Sequence, residues 1–307
     1  MAMGIAEVIP GVSGGTIAFI TGIYERLIDA IKSVDVKFFK LVFSLDFKGA
    51  WRHIDGGFLF VLALGMGIGL IGGVFGVSHL MVEYPEELWG FFFGLILASA
   101  LYIGRQVKHW KGVSVALVLV GIVLAYGITI ISPVEGSTNL GYVFICGVIA
   151  ISALILPGIS GSFMLLLLGM YSVVIPTVKH FLTTFDTGDL LLIGTFAIGC
   201  IVGLATFSRV LSWLFHSYHD QTLAFLTGVM LGSLNKIWPW RIPTQWMQDD
   251  GTIIDTEIVN ADLKVLTEQN VLPNAYYIAE PNTLIVVLCA IAGFAIVFVF
   301  DKLLGED

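Results

Sequence analysis

Charge is scarce in this sequence. Only 12% of its 307 residues are Asp, Glu, Lys or Arg, against 57% hydrophobic, and the mean hydropathy is +0.93. A soluble chain carries about twice that charge, so the composition excludes a water-soluble globule and implies a membrane protein. Cysteine is sparse as well. Cys146, Cys200 and Cys289 all lie in apolar runs without CxxC or Cys/His spacing, which argues against a disulfide framework, a metal site or a resident cofactor. No Lys/Arg run occurs and the net charge is −8, so nucleic acid is not an expected partner. The N-terminus has no basic region ahead of its apolar run and no small-residue cleavage site, so it does not read as a cleavable leader. Histidine is missing where chemistry would need it. His53, His79, His109, His180, His216 and His219 all read as loop or interface positions.

Duplication is what the chain does have. Pro10-Gly11-Val12-Ser13-Gly14-Gly15-Thr16 returns as Pro157-Gly158-Ile159-Ser160-Gly161-Ser162, 147 residues further on. The flanks keep the shift, with Gly22 on Gly169 and Tyr24 on Tyr171. Each copy sets Pro, Gly and Ser inside an apolar run. Broken backbone at membrane depth is tolerated only where it is buried in protein or lines a polar cavity. Two such breaks in matching halves point to a transporter's binding site.

Taken in order, residues 5–31 read as a re-entrant broken hairpin. The limb before Pro10 is too short for a span of about 20 residues, so it dips in and returns, or the start codon is placed late. Residues 32–55 interleave Lys32, Lys37, Lys40, Lys48 and Arg52 with Phe38, Phe39, Leu41, Val42 and Phe43. That pattern suits an amphipathic helix on an anionic leaflet, or an ordinary interfacial helix. Spans are expected over 58–81, 88–104 and 112–132; the glycines of the first read as close-packing positions. A second hairpin over 140–178 and spans over 190–215, 222–237 and 283–300 follow. The polar stretch 238–281 reads as a small loop or cap. Residues 90–99 align with 224–233 at a shift of 134.

The expected fold is an all-α polytopic membrane protein of two inverted-topology repeats, 1–132 and 140–303. Each is a re-entrant broken helical hairpin plus three transmembrane helices, and the odd number of crossings inverts the second copy. Charge gives an independent check. Nine Lys/Arg (Lys32, Lys37, Lys40, Lys48, Arg52, Arg105, Lys108, Lys111, Lys302) fall on one side and four (Lys179, Lys236, Arg241, Lys264) on the other. The positive-inside rule places the basic loops and the C-terminus in the cytoplasm and 238–281 outside.

After each Pro-Gly the helix resumes near Ser13 or Ser160. Its first N–H groups lack internal partners, and the helix dipole is positive there. Gly14, Gly15 and Gly161 allow a close approach to the backbone, and Ser13, Thr16, Ser160 and Ser162 offer hydroxyls. Two such ends meeting near the midplane would form an anion site from neutral dipoles, with a phosphate as natural ligand. The bland alternative is a pair of kinked helices whose serines bond their own turns. Glu7 fits a coupling carboxylate for a proton or sodium, or an interfacial residue. Glu25, Arg26 and Asp29 lie at helical spacing, so Arg26 can pair with either neighbour, as a bland ion pair or with Glu25 in coupling. Arg209 is the deepest basic residue and can snorkel to an interface or reach the anion path.

Glu7 to Thr16, with Gly22-Ile23-Tyr24-Glu25-Arg26 downstream, resembles the bacterial polyprenyl-phosphate transporter family. Gly228-Val229-Met230-Leu231-Gly232-Ser233-Leu234, running into Trp238-Pro239-Trp240, is similar to that family's second signature. The likeness covers nearly the whole chain. It implies a flippase of undecaprenyl phosphate, the lipid carrier of cell-wall (peptidoglycan) precursors, recycling it across the bacterial cytoplasmic (inner) membrane. On that reading Lys236 captures the phosphate outside, the tips hold it, and Arg26 or Arg105 receives it inside. The other partners are membrane lipids and a proton or sodium; a homo-oligomer is admitted. The second tip departs from the first, with Ser162 for Gly15 and Phe163 for Thr16. Two rivals stand beside this reading. One is a phosphatase of undecaprenyl pyrophosphate, which needs an activated nucleophile and cationic groups that the motif lacks. The other is a transporter of a small soluble anion.

Overall fold

The computed structural model describes residues 1–9, 12–247, 253–255 and 264–304. Pro10 and Gly11, the break of the first motif, lie outside the described residues, as do parts of the loop 238–281.

The first hairpin is α1 (Ala2–Glu7), α2 (Gly14–Ile20) and α3 (Tyr24–Lys32). Residues 32–55 do not form the single amphipathic helix expected. They form α4 (Val36–Phe43) and α5 (Phe47–His53). Leu45 turns the chain between them at φ +60°, and Asp46 starts the second by accepting from the Gly49 N–H at 2.9 Å, a helix-capping bond. Three long apolar helices follow: α6 (Gly56–Glu83), α7 (Pro85–Gln106) and α8 (Gly112–Ile130). Pro85 sits in the first turn of α7, where no N–H is required, beside Glu86 and Glu87, which suit the positive helix end.

The second hairpin is α9 (Leu140–Ile155), α10 (Gly161–Leu167) and α11 (Tyr171–Thr184). Then come α12 (Thr187–Ser217), α13 (His219–Ser233), a 3-10 turn at Leu234–Ile237, and α14 (Thr283–Leu304). Among the described residues four helices (α6, α7, α8, α12) are long and apolar enough to cross a membrane. The pair α10 and α11, bent by 102°, makes a fifth candidate as a broken span or re-entrant loop.

The two hairpins match in the short helix that follows each serine and in the turn that closes it. Ser13 and Ser160, both extended, precede seven-residue helices. Each helix ends on a left-handed glycine, Gly22 at φ +70° and Gly169 at φ +67°. The closing bonds match as well: Ile23 N to Ala18 O at 3.0 Å, and Met170 N to Leu165 O at 2.9 Å. This is the six-to-one closure that favours glycine at a helix end.

Helices pair through small residues. α7 lies along α14, α13 along α8, α1 against α6 and α9 against α12. A Cβ at Gly94 would collide with the Ala290 carbonyl, and one at Gly228 with the Val118 carbonyl. Such contacts let helices approach closely where apolar burial alone drives little association. Gly69 and Gly73 of α6 are filled in the same way by α1, whereas Gly67, Gly72 and Gly76 face open space. The main core joins α2, α3, α7 and α13, with Tyr24, Ile96, Ile103 and Met230 fully buried.

Polar bonds collect at the two ends of the bundle. At one, Asp220 accepts from the Lys108 and His109 N–H groups, Glu25 meets His219 at 3.2 Å, and Ser212 donates to Asp29 at 2.6 Å. At the other, the loop 238–281 departs from the all-α expectation. It holds a three-stranded antiparallel sheet in the order β2-β1-β3, from β1 (Arg241–Met247), β2 (Ile253–Asp255) and β3 (Lys264–Asn270). Pro243 is tolerated in the central strand because the register is irregular beside it. Trp240 and Trp246 are buried, and the Trp238 and Trp240 indole N–H groups donate to Val271 O and Pro281 O, each at 2.8 Å. These bonds fasten the sheet to the helices.

Candidate functional site

The two broken segments meet. Thr16 Oγ1 accepts from the Gly158 N–H at 3.1 Å, and Thr16 is fully buried. Ser13 Oγ lies 3.3 Å from Leu154 O and 3.2 Å from Leu156 O and donates to this pair of carbonyls. The Tyr24 hydroxyl donates to Ile155 O at 3.0 Å. The last turn of α9 would otherwise present carbonyls without helical partners; residues of the first hairpin satisfy three of them.

The tips are not equivalent. At the first, Gly14 N donates to Glu7 Oε1 at 2.8 Å, Gly15 N to Ser13 Oγ at 3.1 Å, and Thr16 N to Ser13 O at 3.0 Å. All three opening N–H groups of α2 are thus engaged within the hairpin. A Cβ at Gly14 would meet Glu7 Oε1 at 2.6 Å, and one at Gly15 would meet Ile155 O at 2.7 Å, so protein fills the room these glycines provide. At the second tip no side chain caps α10. The Ser160 and Ser162 hydroxyls bond each other at 2.8 Å. Phe163, which replaces the bonding Thr16, faces Lys236 Nζ at 4.9 Å.

Beyond the second tip lies water-accessible space. A small cavity touches Gly158, Ser160, Ser233 and Lys236. It shares Thr129, Phe163 and Lys236 with a cavity of about 560 Å³ between the end of α8 and the sheet. Three charged residues line that larger cavity. Glu268 bridges Lys236 at 3.2 Å and Arg241 at 2.6 Å, and Arg241 also lies over the Trp89 ring at 4.2 Å. Burial opposes ionisation of Glu268, but the neighbouring charges of Arg241 and Lys236 outweigh it and hold the carboxyl below the usual Glu range.

The structure therefore brings Ser13, Gly14, Gly15, Thr16 and Glu7 together with Ser160, Gly161 and Ser162, and sets Lys236 beside the second tip. Other candidates sit elsewhere. Arg26 pairs with neither Glu25 nor Asp29, which are engaged by His219 and Ser212; it bonds Asp55 at 2.7 Å and covers the Phe58 ring. Glu25 faces His219. Arg209 donates to Val34 O at 3.3 Å, between α3 and α4. Arg105 stacks on Phe298.

Sequence reasoning missed Arg241 and Glu268 as site residues. Arg241 directly follows the Trp238-Pro239-Trp240 signature, which could have drawn attention to it. Glu268 carries no local signal, because only the pairing of β1 with β3, which sets it opposite Pro243, brings it diagonally within reach of Arg241.

A family profile described as undecaprenyl phosphate translocase-like matches residues 3–254. The chain is 42% identical over 304 residues to the polyprenyl-phosphate transporter of Vibrio cholerae serotype O1, covering 95% of this chain and 92% of that protein. It is 28% identical over 293 residues to the polyprenyl-phosphate transporter of Staphylococcus aureus, covering 88% and 95%. No solved structure matches the chain.

Proposed function

The chain belongs to the polyprenyl-phosphate transporter family, and from that premise we propose that it carries undecaprenyl phosphate across the bacterial cytoplasmic membrane, passing the phosphate between the paired tips. It is a transporter, not an enzyme. Its substrate sets an unusual task. The prenyl tail can stay in lipid, so the protein need shelter only the phosphate while it crosses the hydrocarbon. Neutral N–H and hydroxyl donors suit that depth better than a fixed cation, which is costly there.

The observation that carries this reading is the contact between the tips, Thr16 Oγ1 to Gly158 N and Ser13 Oγ to the end of α9. We read the chain as two inverted repeats, 1–132 and 140–303. In support, α7 on α14 mirrors α13 on α8, and α1 on α6 mirrors α9 on α12. In the conformation described, Glu7 and Ser13 hold the opening N–H groups of the first tip, whereas Ser160 of the second borders a small cavity shared with Lys236 and Gly161 packs against Leu154 and Ala150. The phosphate would engage Ser160, Gly161 and Ser162 first. Rocking of one repeat on the other would then open the first tip. Protonation of Glu7 would remove the charge that strengthens its bond to the Gly14 N–H, loosen that bond so that the phosphate can compete for the N–H, and couple transport to a proton. The sheet end is assigned to the outer face and the Asp220 end to the cytoplasm, and carriage runs outer to inner leaflet.

Ser160→Leu tests the site. It should place a branched apolar side chain at the second tip and abolish leaflet-to-leaflet movement of labelled polyprenyl phosphate, without loss of protein from the membrane. Unimpaired transport by this variant would remove the second tip from the path.

A further inference from the structure

The cavity beneath the sheet holds charge that the tips do not use. Arg241 is buried, its side chain only 8% exposed. One terminal nitrogen donates to Glu268 at 2.6 Å and to Lys236 O at 3.1 Å. Its Nε is buried with no hydrogen-bond partner among the described residues. An orphaned guanidinium N–H is costly and asks for an explanation. The surroundings offer one. Lys236 and Arg241 share a single carboxylate, which leaves one positive charge in excess among the described lining residues. Asn235 and Asn270 are tied to each other at 2.8 Å, so that wall is braced. A volume of about 560 Å³ is ample for a phosphate and the first part of its chain.

We infer that this cavity is a capture site for a terminal phosphate group, in which Glu268 occupies Lys236 and Arg241 until the ligand displaces it. The inference rests on the transport reading above and adds the residues that admit the substrate. Arginine suits the task because its planar fork matches phosphate oxygens, while lysine adds a mobile point charge. Glu268 acts as an internal stand-in anion: it keeps one buried and one partly buried cation from standing unpaired, and it weakens retention so that the phosphate can move on. The onward route is short. Lys236 also lines the small cavity at Ser160, and its ammonium lies over Phe163 of the second tip.

The test uses the full chain in detergent, titrated calorimetrically with geranyl phosphate and, separately, with inorganic phosphate. Glu268→Gln keeps the side chain's shape but removes the competing charge. It is expected to tighten phosphate binding by about tenfold or more, as unmasking a close charge pair does. The double variant Arg241→Gln/Glu268→Gln restores neutrality at the pair, guards against misfolding, and should lose that gain. Geranyl phosphate binding at least about tenfold tighter than inorganic phosphate, by the further burial of apolar chain, assigns the site to a lipid head group. Equal binding assigns it to free phosphate. Unchanged or weakened binding of both ligands by Glu268→Gln overturns the capture site and makes the ion pair a structural clasp. Lipid transport by the unmodified protein, measured in vesicles, separates that failure from failure of the transport reading.

Discussion

Thr16→Val isolates the contact between the tips. Valine keeps the shape of threonine but cannot accept a hydrogen bond, so the Gly158 N–H loses the partner it has at 3.1 Å. The site is fully buried, and water cannot easily replace the hydroxyl. Leaving such a donor unsatisfied costs about 1–3 kcal/mol. If the bond is made in only one of two access states, that state falls by about 5- to 150-fold relative to the other. The expected outcome is a protein that still folds and reaches the membrane, melts earlier in detergent, and transports at a fraction of the normal rate. Thr16→Ser retains the hydroxyl and should recover most of both. The assay is the initial rate of loss of fluorescent polyprenyl phosphate from the outer leaflet of reconstituted vesicles, beside a thermal melt. A Thr16→Val protein within twofold of normal transport and with an unchanged melt would show that the contact contributes neither to stability nor to the cycle.

The remaining predictions concern a turn, a carboxylate and an ion pair. Gly22→Ala meets no neighbouring atom but must hold φ +70°, so it should cost about 1–2 kcal/mol; Gly169→Ala, whose Cβ would strike the Val134 carbonyl, should cost clearly more by chemical denaturation, and equal costs would contradict the packing at that turn. Glu7→Gln can still accept from Gly14 but cannot gain and lose a proton, so an imposed pH gradient should accelerate transport by the unmodified protein and not by this variant; equal acceleration would remove Glu7 from coupling. Glu268 has a carboxyl held below its ordinary range by Arg241 and Lys236, so its contribution is complete above the unfolded value of about 4.3 and is lost as pH falls through the lower folded value. Protection of the β3 amides, taken relative to the base-catalysed exchange of a free peptide at each pH, should therefore stay constant from about pH 5 to 8 and fall only below the ordinary Glu range; a transition within the constant range would refute the pairing.

The broken segments are legible because Pro, Gly and Ser have no reason to interrupt an apolar run in lipid, and because the interruption occurs twice. The spacing of 147 residues carries through to matched serines, matched glycines and matched closing bonds. Among the described residues, four of the expected spans fall on helices long and apolar enough to cross a membrane, whereas 222–237 and 283–300 fall on α13 and α14, which are not among those four. Side-chain partners across the fold do not follow from spacing. Arg26 has two acidic neighbours on its own helix and chooses Asp55 of another segment. The sheet is illegible for a related reason: its strands are short, β1 contains Pro243, and the pairing joins residues 27 apart, as Arg241 and Glu268 are. Closure of the first tip by Glu7 and Ser13 could be suspected from the motif but not established, since an open N-terminus and a self-capped one share the same residues.

Leaflet-resolved movement of fluorescent polyprenyl phosphate, in vesicles whose only protein is this chain, is the most direct measurement, with inorganic phosphate uptake followed alongside. Fast loss of the lipid from one leaflet, with no gain in phosphate uptake over protein-free vesicles, is the expected result. Lipid movement no faster than in protein-free vesicles, or uptake of inorganic phosphate in its place, would contradict a head-group passage between the two tips.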